Sequence, residues 1–380
     1  MKGKVRKIII GSFIGVTILA AGIKTNHEMR LISESKEVQT AIEGSQMVSV
    51  KNKFSHANLC LWPKVCRYRN GKVINVKNGR IHAVIKETSE AEDTIVFLHG
   101  LGMGDTTITA NRMFEKLEET HNIFLMDRYG NGLSDDCCED QTVDVIVDSY
   151  RSVLQQTGQK TPYILIAHSI SGIYATYWAQ QHPEEIKAVI YLDADPVECY
   201  VQEGKIDNVS LLIGKSEAFL ADMGLQRLFI SDEILLGDIE YQVFTEEENL
   251  LRKYLMYHNT ASKATCSEME WYYENAQTVL EEDMNLQVPQ LYLVANNVKG
   301  EYYDEVYANR LYERCEGDEE QIREEINARL QLIEEKKGYR SKEQNVKIVE
   351  VSGPHCLYEY KPEQVEEIIV SFLEKLDCGV

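Results

Sequence analysis

Proline is scarce in this sequence, seven in 380 residues, and basic residues are outnumbered, 40 Lys and Arg against 61 Asp and Glu. Few prolines, with 44% apolar and 27% charged residues, exclude a disordered or low-complexity chain. The net charge of −21 excludes a phosphate-gripping surface, because nucleic-acid contacts need clustered Lys and Arg. It also argues against an anionic substrate surface. No internal repeat is visible, and no Cys and His spacing matches a metal finger, so no metal site is expected. What remains is a globular chain long enough for one sizeable core and an accessory domain.

One uncharged apolar run stands out, Ile8 to Ile23 (IIIGSFIGVTILAAGI), preceded by the basic stretch Met1 to Lys7. As a helix it spans about 24 Å, a little short of a ~30 Å hydrocarbon core, and Val5 with snorkelling lysines extends it. A basic flank ahead of the run predicts a cytoplasmic N-terminus and an exported remainder. Residues 1–30 are therefore expected to anchor the chain in the cell membrane by a single pass. Ala20-Ala21-Gly22 offers the alternative of signal-peptide cleavage and secretion. Residues 31–70 read as a polar juxtamembrane segment, helical around Arg30 to Val48. Nine cysteines are present; in an exported domain some are expected to pair, Cys60 with Cys66 being the most local candidates.

From residue 71 the pattern changes. Two alternating runs, Val73 to Val76 and Ile81 to Ile85, flank Lys77-Asn78-Gly79, a hairpin signal that predicts two antiparallel edge strands. Thr94 to Leu98, Ile123 to Met126, Tyr163 to Ala167 and Ala188 to Asp193 are largely apolar runs of strand length. Between them helices are expected at Ala110 to Glu119 and Asp144 to Gln156. Strands alternating with helices in this way predict a mostly parallel sheet covered on both faces. After Pro196 the alternation stops, and residues 197–285 read as helices, including Glu246 to Tyr257 and Glu268 to Glu282. Strands return at Pro289 to Ala295 and Val346 to Val351, and a helix from Pro362 to Leu376 closes the chain. A charged helical insertion, Lys299 to Lys342, is expected to be largely solvated.

Within this frame Tyr163-Ile-Leu-Ile-Ala-His-Ser-Ile-Ser-Gly-Ile-Tyr174 places Ser169 on a sharp turn between a strand and a helix. Such a corner exposes a hydroxyl with a helix N-terminus behind it, as a nucleophile requires. The chain from about Val73 onward resembles the α/β-hydrolases with a helical cap between the sixth and seventh strands. Four motifs in the family's order carry the resemblance: His99-Gly100, Asp127-Arg-Tyr-Gly-Asn-Gly-Leu-Ser134, His168-Ser-Ile-Ser-Gly172 and Gly353-Pro-His355. The His-Ser-x-Ser-Gly form of the corner is similar to that of membrane-anchored serine hydrolases of Gram-positive bacteria. Residues 71–196 and 286–380 would then form the α/β core, and residues 197–285 the cap.

The resemblance implies Ser169 as nucleophile and His355, after the last strand, as its base. The backbone N–H groups of Leu101 and Ile170 would bind the oxyanion. His168 is expected to be structural, and Asp127 and Arg128 to stabilise a turn. Two departures stand out. Ala167 and Ser171 occupy the usual glycine positions of the corner, and the seventh strand runs into Asn296-Asn297 where the family usually has an Asp. Asp193, after the sixth strand, is therefore the first candidate for the triad acid, with Asp195 and Asp304 as alternatives. The expected function is hydrolysis of a carboxylic ester or amide of a small molecule, with no cofactor. Trp178, Trp271, Tyr272 and Tyr273 are candidate contacts for an apolar acyl or aryl group. The alternative is a non-catalytic surface binding protein of the same fold.

Overall fold

The computed structural model describes residues 22–31, 33–34, 36 and 71–378, apart from positions 77–78, 90, 92, 229, 232–235, 237–243, 260–261 and 344. The run Ile8 to Ala21, the stretch 37–70 and the Cys60–Cys66 pairing lie outside these residues. Among the described residues no helix is long and apolar enough to cross a membrane, and Cys137, Cys138, Cys199, Cys266, Cys315, Cys356 and Cys378 are free thiols.

An eight-stranded sheet forms the centre, built from β1 (Gly71–Val76), β2 (Gly79–Lys86), β3 (Thr94–Leu98), β4 (Asn122–Met126), β5 (Tyr163–His168), β6 (Ile186–Leu192), β7 (Gln290–Asn296) and β8 (Val346–Ser352). Their order is β1-β2-β4-β3-β5-β6-β7-β8. β2 pairs antiparallel with β1 and β4, and every other pairing is parallel. The expected hairpin is present, but only β1 is an edge; β2 lies inside the sheet.

The continuous apolar runs have a simple cause. Successive side chains of a strand point to opposite faces, and here both faces are covered. Val96, Leu98, Leu165, Ala167, Val189 and Tyr191 pack on one side, while Ile95, Phe97, Ile164, Ile166, Ile190 and Leu192 pack on the other. The first face is covered by α1 (Val143–Gln156) and α2 (Ser171–Gln181), the second by the segment 110–119 and the C-terminal helix Pro362–Asp377. The predicted helix over 110–119 is instead two 3-10 turns, Ala110–Phe114 and Leu117–Glu119. The N–H groups of Lys116 and Leu117 donate to the Glu366 carboxylate at 2.6 and 2.9 Å, which interrupts an α-helical ladder.

Between β6 and β7 lie α3 (Val197–Glu203), α4 (Asn208–Asp222), α5 (Glu246–Asn259) and α6 (Lys263–Leu280), as expected for the cap. α5 opens with a reciprocal capping box: the Glu248 N–H donates to the Thr245 hydroxyl, and Glu248 Oε2 accepts from the Thr245 N–H. Residues 22–31 are helical and pack on this cap through Leu31, beside Leu251, Tyr254 and Leu255. After β7 come α7 (Ala308–Arg314) and α8 (Glu319–Arg340). The expectation of a solvated insertion holds for most of α8 but fails at its C-terminal half, where Ile333, Lys336 and Arg340 are buried. The Arg340 guanidinium lies over the rings of Tyr191 and Tyr292, 4.1 and 5.3 Å from their centroids, so cation–π attraction offsets its loss of water.

Candidate active site

The C-terminal ends of β3, β5, β6 and β8 converge, and each delivers one part of the site. β5 ends at His168, and Ser169 follows with a φ of 57° before α2 begins. A left-handed serine is strained and persists only where the surroundings fix it. Close approach explains the small neighbours. A Cβ on Gly172 would lie 2.9 Å from the Ala194 Cβ, and one on Gly100 would lie 2.8 Å from His168 Nδ1. Ser171 has a use that glycine would not serve. Its hydroxyl donates to the His99 carbonyl at 2.5 Å and accepts from Arg128 Nη1 at 3.2 Å, pinning the start of α2 to the loop after β3.

His355 comes from the loop after β8, and its Nδ1 meets Asp193 Oδ2 at 2.6 Å. Asp193 follows β6 with a φ of 44°. Its second oxygen accepts from the Ala295 N–H at 3.0 Å, and its own N–H donates to the Leu293 carbonyl at 2.8 Å. β7 thus braces a carboxylate that β6 carries. A carboxylate accepts, so Nδ1 of His355 carries the hydrogen of this contact and Nε2 is the ring nitrogen left for a second partner. The two alternatives are elsewhere: Asp195 forms an ion pair with Lys336 of α8, and Asp304 is exposed on the π-helix Tyr303–Tyr307.

The loop after β3 is set by a buried network. Arg128 Nη2 donates to the Gly100 carbonyl at 3.2 Å and Nη1 donates to the His99 carbonyl at 2.5 Å. His99 Nδ1 also donates to the Gly100 carbonyl, at 2.7 Å. A trans peptide directs its carbonyl and N–H to opposite sides. With the Gly100 carbonyl held toward Arg128, the Leu101 N–H points away from it. Among the described residues no turn or cap carbonyl accepts from the Leu101 or Ile170 N–H. Arg128 is held in turn by Glu268 of α6, at 2.6 Å, and Tyr174 donates to the same carboxylate oxygen at 2.8 Å. Burial works most strongly against the Arg128 charge, and the Glu268 carboxylate together with Tyr150 and Tyr174 more than offsets it, so the guanidinium stays charged. Asp127 behaves as the expected turn anchor, accepting from the Leu133 N–H at 3.0 Å and bonding His82 at 2.8 Å.

His168 is structural, as expected. Its ring is buried, lies 4.6 Å from the His355 ring between centroids, and sits against the edge of Tyr358. Burial pushes both His99 and His168 well below the usual imidazole range, and for His99 the Arg128 charge adds to it. The sign follows directly. An unfolded histidine takes up a proton below about pH 6.5 that the folded one refuses, so stability is complete above that pH and falls below it. Each ring contributes a slope of up to about 1.4 kcal/mol per pH unit. Urea unfolding between pH 7.5 and 5 should show the midpoint falling from about pH 6.5 downward; a flat midpoint contradicts the buried neutral pair. Trp178, a candidate substrate contact from sequence, is fully buried in the core and donates to Glu185 at 2.8 Å. Tyr272 likewise packs against Tyr200.

The family model for the α/β hydrolase fold matches residues 93–296. An uncharacterized protein of Bacillus subtilis (strain 168), YbdG, is 27% identical over 307 residues, covering 80% of this chain and 86% of that protein. Among solved structures, a probable hydrolytic enzyme of Pseudomonas aeruginosa PAO1 aligns with a TM-score of 0.53 and 15% identity, covering 80% of this chain and 93% of that one. The epoxide hydrolase CorEH aligns with a TM-score of 0.52 and 14% identity, covering 81% and 99%. At such identities the structural likeness speaks to the fold alone. The family match spans more than half of the sequence, and the sheet order and helix placement agree with it: the chain belongs to the α/β hydrolase fold family.

Proposed function

We propose that this chain is a serine hydrolase that cleaves a carboxylic ester or amide of a small molecule through an acyl-enzyme on Ser169. The observation that carries the reading is the His355–Asp193 contact of 2.6 Å at the same C-terminal strand ends as a left-handed Ser169. In this reading His355 Nε2 takes the Ser169 proton as Oγ attacks the carbonyl carbon. The tetrahedral oxyanion accepts from the N–H groups of Leu101 and Ile170. The leaving alcohol or amine departs with the proton from His355, and water, activated by the same ring, releases the acid. Asp193 keeps the hydrogen on Nδ1. A serine at the corner favours acyl transfer over the aspartate-based chemistry of epoxide opening. The rival reading, a non-catalytic binding protein, drew on the missing Asp after β7; Asp193 against His355 removes that support.

A fluorophosphonate probe should label wild-type protein and fail to label Ser169→Ala. Folded wild type that stays unlabelled would sink the reading. The proposal includes the N-terminal tether: the basic Met1 to Lys7 and the uncharged Ile8 to Ile23 support a single-pass anchor with the hydrolase domain outside the cytoplasm, or a secreted domain after cleavage. Protease added to intact cells then removes the domain, and full protection contradicts that orientation.

A further inference from the structure

A cap helix is inverted relative to an ordinary surface helix. On α4, Val209 (66% exposed), Leu212 (65%), Ile213 (54%) and Phe219 (62%) face solvent. With Leu220 they follow the spacing i, i+3, i+4, i+10, i+11, one continuous stripe. Ser216, within the stripe, returns its hydroxyl to the Leu212 carbonyl at 2.7 Å and leaves the face apolar. The opposite face carries Leu211, Gly214, Ala218 and Ala221, half-buried or buried, where α4 packs on α6. Apart from Leu211, small residues thus face the protein while large apolar ones face outward. Leu228, in the 3-10 turn Leu225–Leu228 that follows the helix, is 70% exposed as well. A contiguous apolar face of this kind marks an interaction surface.

The position of the N-terminal helical residues says what covers it. His27 is buried against Gly224, two residues past the end of α4, so closely that a Cβ on Gly224 would lie 2.2 Å from its Cγ. Ile23, the last residue of the uncharged run, precedes His27 by four residues, about 6 Å along a helix. The end of the apolar run, Ile23, and the end of the apolar face of α4, Leu220, thus each lie four residues, about one helical turn, from the His27–Gly224 contact. Charge separates the possible lipid contacts. Lys215 of α4 is taken up by Glu270 of α6, and the chain carries −21 overall. Anionic headgroups have little to bind here, whereas the acyl boundary of a bilayer suits a helix with an apolar outer face.

We propose that the Val209–Leu220 face of α4 docks into the acyl boundary of the bilayer that holds the N-terminal run, seating the cap on the membrane surface. The inference rests on the proposed tether and not on the hydrolase chemistry. The test places p-benzoylphenylalanine in the full-length chain, Phe219→p-benzoylphenylalanine, and reconstitutes it in phosphatidylcholine vesicles. Irradiation and peptide mass mapping should then find phospholipid on residue 219. The control, Gln156→p-benzoylphenylalanine, sits exposed at the end of α1, just before β5 begins and so at the end of the sheet away from the cap, and should acquire none. Leu212→p-benzoylphenylalanine repeats the test should the first variant misfold. A chain that floats with the vesicles but forms no lipid adduct overturns the docking and leaves the tether standing. Adducts to a second copy, or to residues 37–70 of the same chain, overturn it as well. A full-length chain that does not float overturns tether and docking together.

Discussion

Asp193→Asn lowers turnover by roughly 10⁴ while leaving the protein folded, the loss expected when a triad carboxylate becomes an amide. The geometry explains why an isosteric change is so costly. Asp193 accepts on both oxygens, from His355 Nδ1 at 2.6 Å and from the Ala295 N–H at 3.0 Å. An asparagine has one acceptor and one donor end. If its oxygen stays with Ala295, its NH₂ faces His355 and drives the ring hydrogen to Nε2. That tautomer cannot accept the Ser169 proton. If the amide turns over, its NH₂ meets the Ala295 N–H and a buried donor is left without an acceptor. Steady-state kinetics on a chromogenic ester check the loss, and circular dichroism checks the fold. Asp304→Asn, on the exposed π-helix, should change turnover less than tenfold. A loss below tenfold at Asp193 would show that this carboxylate does not serve His355.

Glu268→Ala has the largest effect expected on stability, a loss of about 3–5 kcal/mol, because it leaves the Arg128 guanidinium buried and uncompensated. Arg128 and Glu268 side chains are each 3% exposed, so water cannot take the place of the carboxylate. Tyr174 loses its acceptor in the same step. The damage also reaches the chemistry. Arg128 grips the carbonyls of His99 and Gly100, and the Gly100 peptide sets the direction of the Leu101 N–H. Turnover should therefore fall along with stability. Glu268→Gln, which keeps an acceptor for Arg128 without the charge, should lose clearly less of both. Urea unfolding and ester hydrolysis measured on the same preparations decide it. Equal losses for the two variants would mean that the carboxylate charge alone, and not its hydrogen-bond acceptor, is what holds Arg128.

Much of this was legible in the sequence because it is local. β3, β5 and β6 are buried on both faces, so they read as uninterrupted apolar runs, and Ser169 stands where one of them turns into a helix. Asp193 was legible as a carboxylate at a strand end, though sequence left Asp195 and Asp304 open. Long-range pairing was not legible. Nothing near Arg128 signals Glu268, which is 140 residues away, and nothing in the charged run of α8 signals that Lys336 reaches Asp195 or that Arg340 lies on Tyr191. The failed helix over 110–119 has the same origin, since the carboxylate that interrupts it belongs to Glu366 in the last helix. Ser171 could be read only as a small residue; its bonds to His99 and Arg128 appear once the β3 loop lies beside it.

The most direct measurement of the central claim is the site of fluorophosphonate attachment in folded, full-length wild type, mapped by peptide mass spectrometry. The account predicts one phosphonyl group per chain, on Ser169, with attachment slowed in Asp193→Asn because His355 then presents the wrong nitrogen. Attachment at another residue, or none at all while the fold is intact, would contradict it.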